Sequence, residues 1–235
     1  MNPGPVRPDL ACPESPLSPA TDDRNAWDDD YTARGRLWGG SNPALPLLPP
    51  GLRVLELGCG DGRSLRTMAG RGWHITGLDY SLPALRLCRD AAGRENFNAV
   101  AADARVLPFG AGTFDAVFAF HILGHMLAAD RERSVAEILR VLSRSGFVYF
   151  RSFADGDLRQ GTGRELEEGT FVRGTGILTH YFTCSEVARL FSPLVPLSLD
   201  TQRWTMRVRG RDLIREEITA VLSKTLRPSP DFEMF

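Results

Sequence analysis

From Gly51 onward, apolar residues fall into short runs punctuated by glycines and prolines. Leu52–Leu57 is one such run, ending in a glycine cluster, which predicts a buried strand. The pattern then predicts a helix over Ser64–Ala69, a strand over His74–Leu78 and a helix over Pro83–Ala91. Strands over Ala99–Ala102 and Phe114–Phe120, a helix over Arg131–Leu142 and a strand over Gly146–Arg151 complete the regular part. Strands alternating with helices of this length require right-handed crossovers, so the expected fold class is α/β with a mainly parallel, doubly wound sheet.

The flanks are less regular. Residues 1–25 hold Pro3, Pro5, Pro8, Pro13, Pro16 and Pro19 with few aromatics, so burial cannot repay the entropy of ordering them and a disordered tail is expected. Order is expected from about Trp27, near Tyr31 and Trp38. The Gly-rich stretch Ala154–Gly176, with Glu165, Glu167 and Glu168, reads as a long connection, a length that often marks function. A short helix over Ser185–Leu190, capped by Thr183 or Ser185, precedes strand-like runs at Val195–Leu199 and Trp204–Val208. Two readings compete near the end. Ile214, Ile218, Val221 and Leu222 suit one helical face, whereas Ile218–Leu222 suits a strand buried on both sides; we take a final antiparallel strand over Glu217–Ser223. One domain over residues 26–226 and a tail over 227–235 follow.

Composition narrows the function. With 235 residues the chain buries roughly 70–75% of its unfolded surface, enough to fold without disulfides or structural metals. Lys+Arg of 28 against Asp+Glu of 29 gives no global field for a polyanion. Lys224 is the sole lysine, which excludes a P-loop and a Schiff-base enzyme. Cys12, Cys59, Cys88 and Cys184 are scattered without a C-x-x-C pair, and the reading is reduced thiols in a cytoplasmic protein. No apolar run nears the ~20 residues of a membrane span, and no secretory leader is evident.

The chemistry-bearing stretch is Val54-Leu55-Glu56-Leu57-Gly58-Cys59-Gly60-Asp61-Gly62-Arg63-Ser64, at a strand-to-helix turn. Glycines there permit a tight turn and close approach of a ligand to the backbone. Asp79 ends the second strand, where a carboxylate can accept both hydrogens of a ribose diol, and Asp103 ends the third, where it can accept from an adenine amino group. A nicotinamide-dinucleotide site wants a further glycine at position 63, where Arg63 stands. A turn that binds nothing, with Asp79 and Asp103 as helix caps, explains each residue singly but not their placement at successive strand ends.

On these residues the chain resembles the class I S-adenosylmethionine (SAM)-dependent methyltransferases. The resemblance runs from about Trp38 to Phe153. It rests on Leu55–Gly62, Gly77-Leu78-Asp79-Tyr80-Ser81, Ala102-Asp103-Ala104, Leu107-Pro108-Phe109, Phe114-Asp115-Ala116-Val117, His121-Ile122-Leu123-Gly124-His125 and Glu137–Leu142. It is similar above all to the small-molecule branch that includes quinone biosynthesis. The resemblance implies a Rossmann-like seven-stranded sheet with the last strand antiparallel, SAM as cofactor and S-adenosylhomocysteine (SAH) as its product. It also implies that Glu56, Gly58, Cys59, Gly60 and Gly62 line the methionine moiety and that Asp79 holds the ribose. Tyr80 then flanks the adenine, Asp103 and Ala104 read its edge, and Phe120 and His121 sit beside the methyl group.

The acceptor is less legible. The resemblance implies that residues 153–182 are an insertion shaping an acceptor pocket. Phe120-His121-Ile122-Leu123 stands where DNA base methyltransferases carry an Asn/Asp/Ser-Pro-Pro-aromatic run, and the Pro-Cys pair of cytosine C5 enzymes is absent, so DNA is not an expected partner. His121 and His125 share a face if helical, as a base or metal pair or as packing residues; a third ligand is not apparent and no metal is expected. His121, His180 and Tyr181 are the catalytic candidates, with Arg173 as an anion clamp, or else Tyr181 is a core anchor and Arg173 solvated. Tyr31 and Trp38 are candidate substrate contacts in a lid over a sulfonium, packing being the plain alternative. Arg203, Arg207, Arg209 and Arg211 alternate with Trp204, Met206 and Val208, a basic strand face that meets solvent or RNA phosphates. The expectation is a monomeric or homodimeric enzyme methylating a small molecule, with no membrane partner. A non-catalytic SAM/SAH-binding subunit and an RNA methyltransferase are the rivals.

Overall fold

The computed structural model describes residues 24–35, 45–92 and 97–225. In chain order its elements are α1 (Arg24–Arg34), β1 (Arg53–Leu57), α2 (Arg63–Met68), β2 (His74–Asp79), α3 (Leu82–Ala92), β3 (Phe97–Ala101) and β4 (Phe114–Phe120). A 3-10 turn (Ile122–His125), α4 (Ala128–Val141), β5 (Leu142–Phe153), β6 (Arg164–Glu167), β7 (Thr170–Val172) and β8 (Leu178–His180) follow. The chain closes with α5 (Cys184–Leu190), β9 (Val195–Val208) and β10 (Arg211–Ser223).

Seven strands form one sheet in the order β3-β2-β1-β4-β5-β10-β9. β1 to β5 pair in parallel, while β10 runs antiparallel to both β5 and β9. Strand order reverses at β1, which has β2 on one side and β4 on the other, so the crevice beyond its carboxyl end is where such sheets bind ligands. The central strands read as unbroken apolar runs because both faces are covered. Ala116, Phe118, Phe147 and Tyr149 point into one core cluster, whereas Val117, Ala119, Val148 and Phe150 point into the other.

Among the described residues no helix is long and apolar enough to cross a membrane. The expected tails lie outside the described residues, except that Arg24 and Asn25 open α1 instead of ending a tail. Two expectations need correction. The Gly-rich stretch after β5 is not a bare connection, for it supplies β6, β7 and much of the lead into β8, a separate three-stranded antiparallel sheet. Its acidic residues have work: Glu167 accepts from the Ala128 amide at 2.8 Å, capping α4 from outside, because the residue before that helix is Leu127, which has no acceptor side chain. Likewise Val195–Leu199 and Trp204–Val208 belong to one strand. The polar residues between them continue the ladder with β10, and their side chains face water along an exposed hairpin arm. The final segment is a strand, as the both-faces-buried reading required. Thr183, not Ser185, caps α5 by accepting from Glu186.

Candidate active site

The turn after β1 passes through three left-handed glycines, Gly58, Gly60 and Gly62. At Gly60 a Cβ would run into the Tyr31 hydroxyl of α1, and at Gly62 it would meet the Cys88 sulfur at 2.7 Å, so only glycine lets α1 and α3 close over the turn. The Gly58 and Cys59 amides donate to the Leu78 carbonyl at 2.7 and 3.0 Å, pinning the turn to the end of β2. There Asp79 accepts from the Gly60 amide at 2.8 Å and the Ser81 amide at 2.9 Å. Burial nevertheless pushes its carboxyl up to about 6, against the pull of those backbone donors.

Glu56 is buried more deeply. Burial raises its carboxyl to about 8, partly countered by a hydrogen bond with Ser64, and its Oε2 has no partner among the described residues. A buried carboxyl oxygen without a donor is costly, and here it lines a cavity of about 900 Å³. Beyond β3, Arg105 grips Asp103 through Nε at 2.9 Å and Nη2 at 2.6 Å, and reaches Asp130 at 3.0 Å. Burial works to raise the Asp103 carboxyl, but the Arg105 hydrogen bonds outweigh it and hold it below the usual carboxylate range.

His121 follows β4 in a left-handed conformation, φ 63°, which a residue with a side chain adopts only when its surroundings enforce it. Its amide donates to the Arg151 carbonyl at 2.7 Å, its ring lies 4.6 Å from that of Phe153, and its Nδ1 has no partner among the described residues. Burial, then the His125, Arg151, Arg159 and Arg215 charges, bring the imidazole down to about 3, so it is neutral at physiological pH. The shared helical face expected for His121 and His125 does not form, since His121 precedes a single 3-10 turn. Both still line the cavity, with His125 Nδ1 at 2.6 Å from the Leu178 carbonyl and its ring edge-on to Trp27. Among the described residues no group of three or more His, Cys, Asp or Glu is placed to hold a metal.

The cavity gathers most of the expected residues: Glu56, Gly58, Cys59 and Gly60 from the end of β1 and its turn, Asp79 and Tyr80 at the end of β2, Asp103 and Ala104 after β3, Phe120 and His121 at the end of β4, and Tyr31 from α1. Gly62 is set back, turning the chain into α2. Trp38 lies outside the described residues.

Two catalytic candidates are not at the cavity. His180 is buried with Nδ1 at 2.7 Å from Thr170 Oγ1 and Nε2 at 2.9 Å from Glu186, so both ring nitrogens are committed to a network that also contains Arg131 and Glu167. Tyr181 is a buried anchor whose hydroxyl accepts from Arg173 at 2.7 Å. It holds Arg173, which does line the cavity.

The sequence reading missed the rest of that end. Phe153, Arg159, Trp204, Arg215 and Glu217 join Arg173 around it. Glu217 pairs with Arg151 at 3.1 Å and stands 3.6 Å from His121 Nε2. Alternation along β9 does put Trp204 and Met206 on the cavity side, with Trp204 still exposed at its rim. Of the arginines on the opposite face, Arg203 pairs with Glu216 and Arg207 with Asp212, so half of that basic run is neutralised across the hairpin.

Residues 55–150 match the family model described as a methyltransferase domain. Malonyl-[acyl-carrier protein] O-methyltransferase of Salmonella typhimurium is 34% identical over 105 residues, 45% of this chain and 40% of that protein. Demethylmenaquinone methyltransferase of Thermobifida fusca is 34% identical over 124 residues, 52% of each. The matches thus span about half or less of these relatives. A solved SAM-dependent methyltransferase of Methanosarcina mazei shares the fold with a TM-score of 0.62 at 23% identity, covering 77% of this chain and 96% of the other. The acidic residues from Glu56 to Asp130 fall inside the matched span, whereas Phe153, Arg159, Arg173, Trp204, Arg215 and Glu217 fall beyond it.

Proposed function

We propose that this chain, whose residues 55–150 match a methyltransferase-domain model, is a class I SAM-dependent methyltransferase that transfers a methyl group from SAM to a small molecule and releases SAH. One observation carries the reading: a single cavity of about 900 Å³ runs from the glycine turn, past His121, to a second end built by residues after β5. Such a volume suits two small ligands side by side, and a recess lined by side chains suits a metabolite better than a nucleic acid.

The residues fit the cofactor. Glu56 would offer its unpartnered buried oxygen to an ammonium, Gly58 and Gly60 would line the methionine moiety, and Asp79 would accept from the ribose diol. Tyr80, Asp103 and Ala104 would frame the adenine. When bound, SAM supplies a methyl group on a positively charged sulfur, already electrophilic. The chain's task is therefore orientation and exclusion of water more than activation. Phe120 and His121 flank the junction, where a neutral imidazole with an open Nδ1 can orient an acceptor but is a weak proton acceptor.

Calorimetry of the full chain with SAM and with SAH tests the cofactor half, and we expect heat from both. Labelled SAM offered with a small-metabolite extract or with tRNA tests the acceptor, and the label is expected in small molecules. Absence of heat with either ligand removes the reading. Label mainly in RNA, lost on Arg207→Glu, replaces the acceptor class.

A further inference from the structure

The second end of the cavity carries more positive charge than its own carboxylates neutralise. Three guanidinium groups line it, those of Arg159, Arg173 and Arg215. Asp157, itself buried, serves two of them, accepting from Arg215 Nε at 2.5 Å and standing 3.4 Å from Arg159 Nε. Arg173 has no ion pair among the described residues. Its Nη2 reaches the Tyr181 hydroxyl and, at 3.5 Å, the Arg159 carbonyl, while its Nε is buried and unbonded. Glu217, the carboxylate lining this end, is paired with Arg151.

Arginine does not shed its proton in a protein, so a desolvated surplus of guanidinium needs a counter-charge. The guanidinium carbons of Arg159 and Arg215 lie 4.3 and 4.9 Å from the centre of one ring, Phe153, an arrangement that holds both side chains in place. Burial first, and then the nearby Arg215 charge, bring the Arg159 guanidinium below its ordinary value, with Asp157 acting in the opposite sense. Trp204 and Met206, with the Phe153 ring, supply apolar wall beside the charges.

We propose that the methyl acceptor is an organic carboxylate with an apolar, planar body, its anionic group held by Arg173 together with Arg159 and Arg215. The inference rests on the methyl-transfer reading and specifies its acceptor. Planar guanidinium forks match carboxylate oxygens in a way that a neutral amide cannot reproduce.

The test is calorimetry on the full chain saturated with SAH, using benzoate and 4-hydroxybenzoate, their amides, and phenyl phosphate as probes. The carboxylates are expected to bind roughly tenfold or more tightly than their amides. Arg173→Gln, which breaks no ion pair, is expected to remove most of that preference while SAH binds as before. Equal binding of acids and amides, no binding of any carboxylate, or an unchanged preference in Arg173→Gln would each overturn the proposal. Tighter binding of phenyl phosphate than of benzoate would overturn it in favour of a phosphoryl group. If SAH itself fails to bind the native chain, the methyl-transfer reading falls instead.

Discussion

The two ends of the cavity solve opposite electrostatic problems. At the glycine turn, Glu56 and Asp79 are carboxyls that burial pushes up to about 8 and about 6, so they can take up a proton when no cation faces them. At the far end the charges are arginines, which lack that escape and depend on Asp157, on aromatic faces and on whatever anion arrives. The first end is assembled by residues that follow consecutive parallel strands. The second draws on β5, the segment after it, the turn after β7 and the β9–β10 hairpin. The difference shows why one end falls within the matched span and the other does not: residues at successive strand ends come from one continuous stretch of sequence, whereas the far wall is drawn from any element that reaches it.

The contrast is open to breaking. The largest effect is expected from Gly60→Val, where a β-branched residue is forced to positive φ against Tyr31; SAH affinity measured by calorimetry should fall roughly a hundredfold or more. Retained affinity would mean that the turn is not the cofactor's floor. Asp79→Ala should weaken SAM by about 1–3 kcal/mol through lost charge-assisted hydrogen bonds, and unchanged affinity would put the ribose elsewhere. The same carboxylate gives a pH signature. Its acceptor form is lost as pH falls through about 6, so affinity at pH 5 should be roughly tenfold below that at pH 7.5. Asp79→Asn should flatten that dependence; a slope persisting in the variant would assign it to another group.

His180→Ala comes next. Because both ring nitrogens are hydrogen-bonded away from the cavity, the cost should fall on stability, about 1–3 kcal/mol in urea denaturation, with SAH binding intact. A fully stable variant without turnover would return His180 to the chemistry. Smallest is Arg207→Ala on the exposed hairpin face, where a screened pair with Asp212 predicts a stability change within about 0.5 kcal/mol and unaltered methyl transfer.

The parts that were legible are local. Leu52–Leu57 and its glycines announce strand, turn and helix within a dozen positions, and Asp79 and Asp103 sit at strand ends that the apolar runs themselves delimit. The placement of His180 away from the cavity was not legible, because histidine, tyrosine and phenylalanine in sequence suggest a site while only packing decides whether a ring nitrogen is free. Glu167 as the cap of α4 and Glu217 beside His121 had no signal, since each meets its partner across a stretch of 39 or more positions.

By itself the chain determined its α/β class, the parallel order of its central strands and the cradle after β1, because strand period, helix period and glycine's access to positive φ act over a few residues. Tertiary structure alone decided which arginines share one cavity end, that Tyr181 props Arg173 and that His121 is neutral. Charge proximity and desolvation are properties of distance in space, and residues such as Arg159 and Arg215 become neighbours only when β10 returns beside β5.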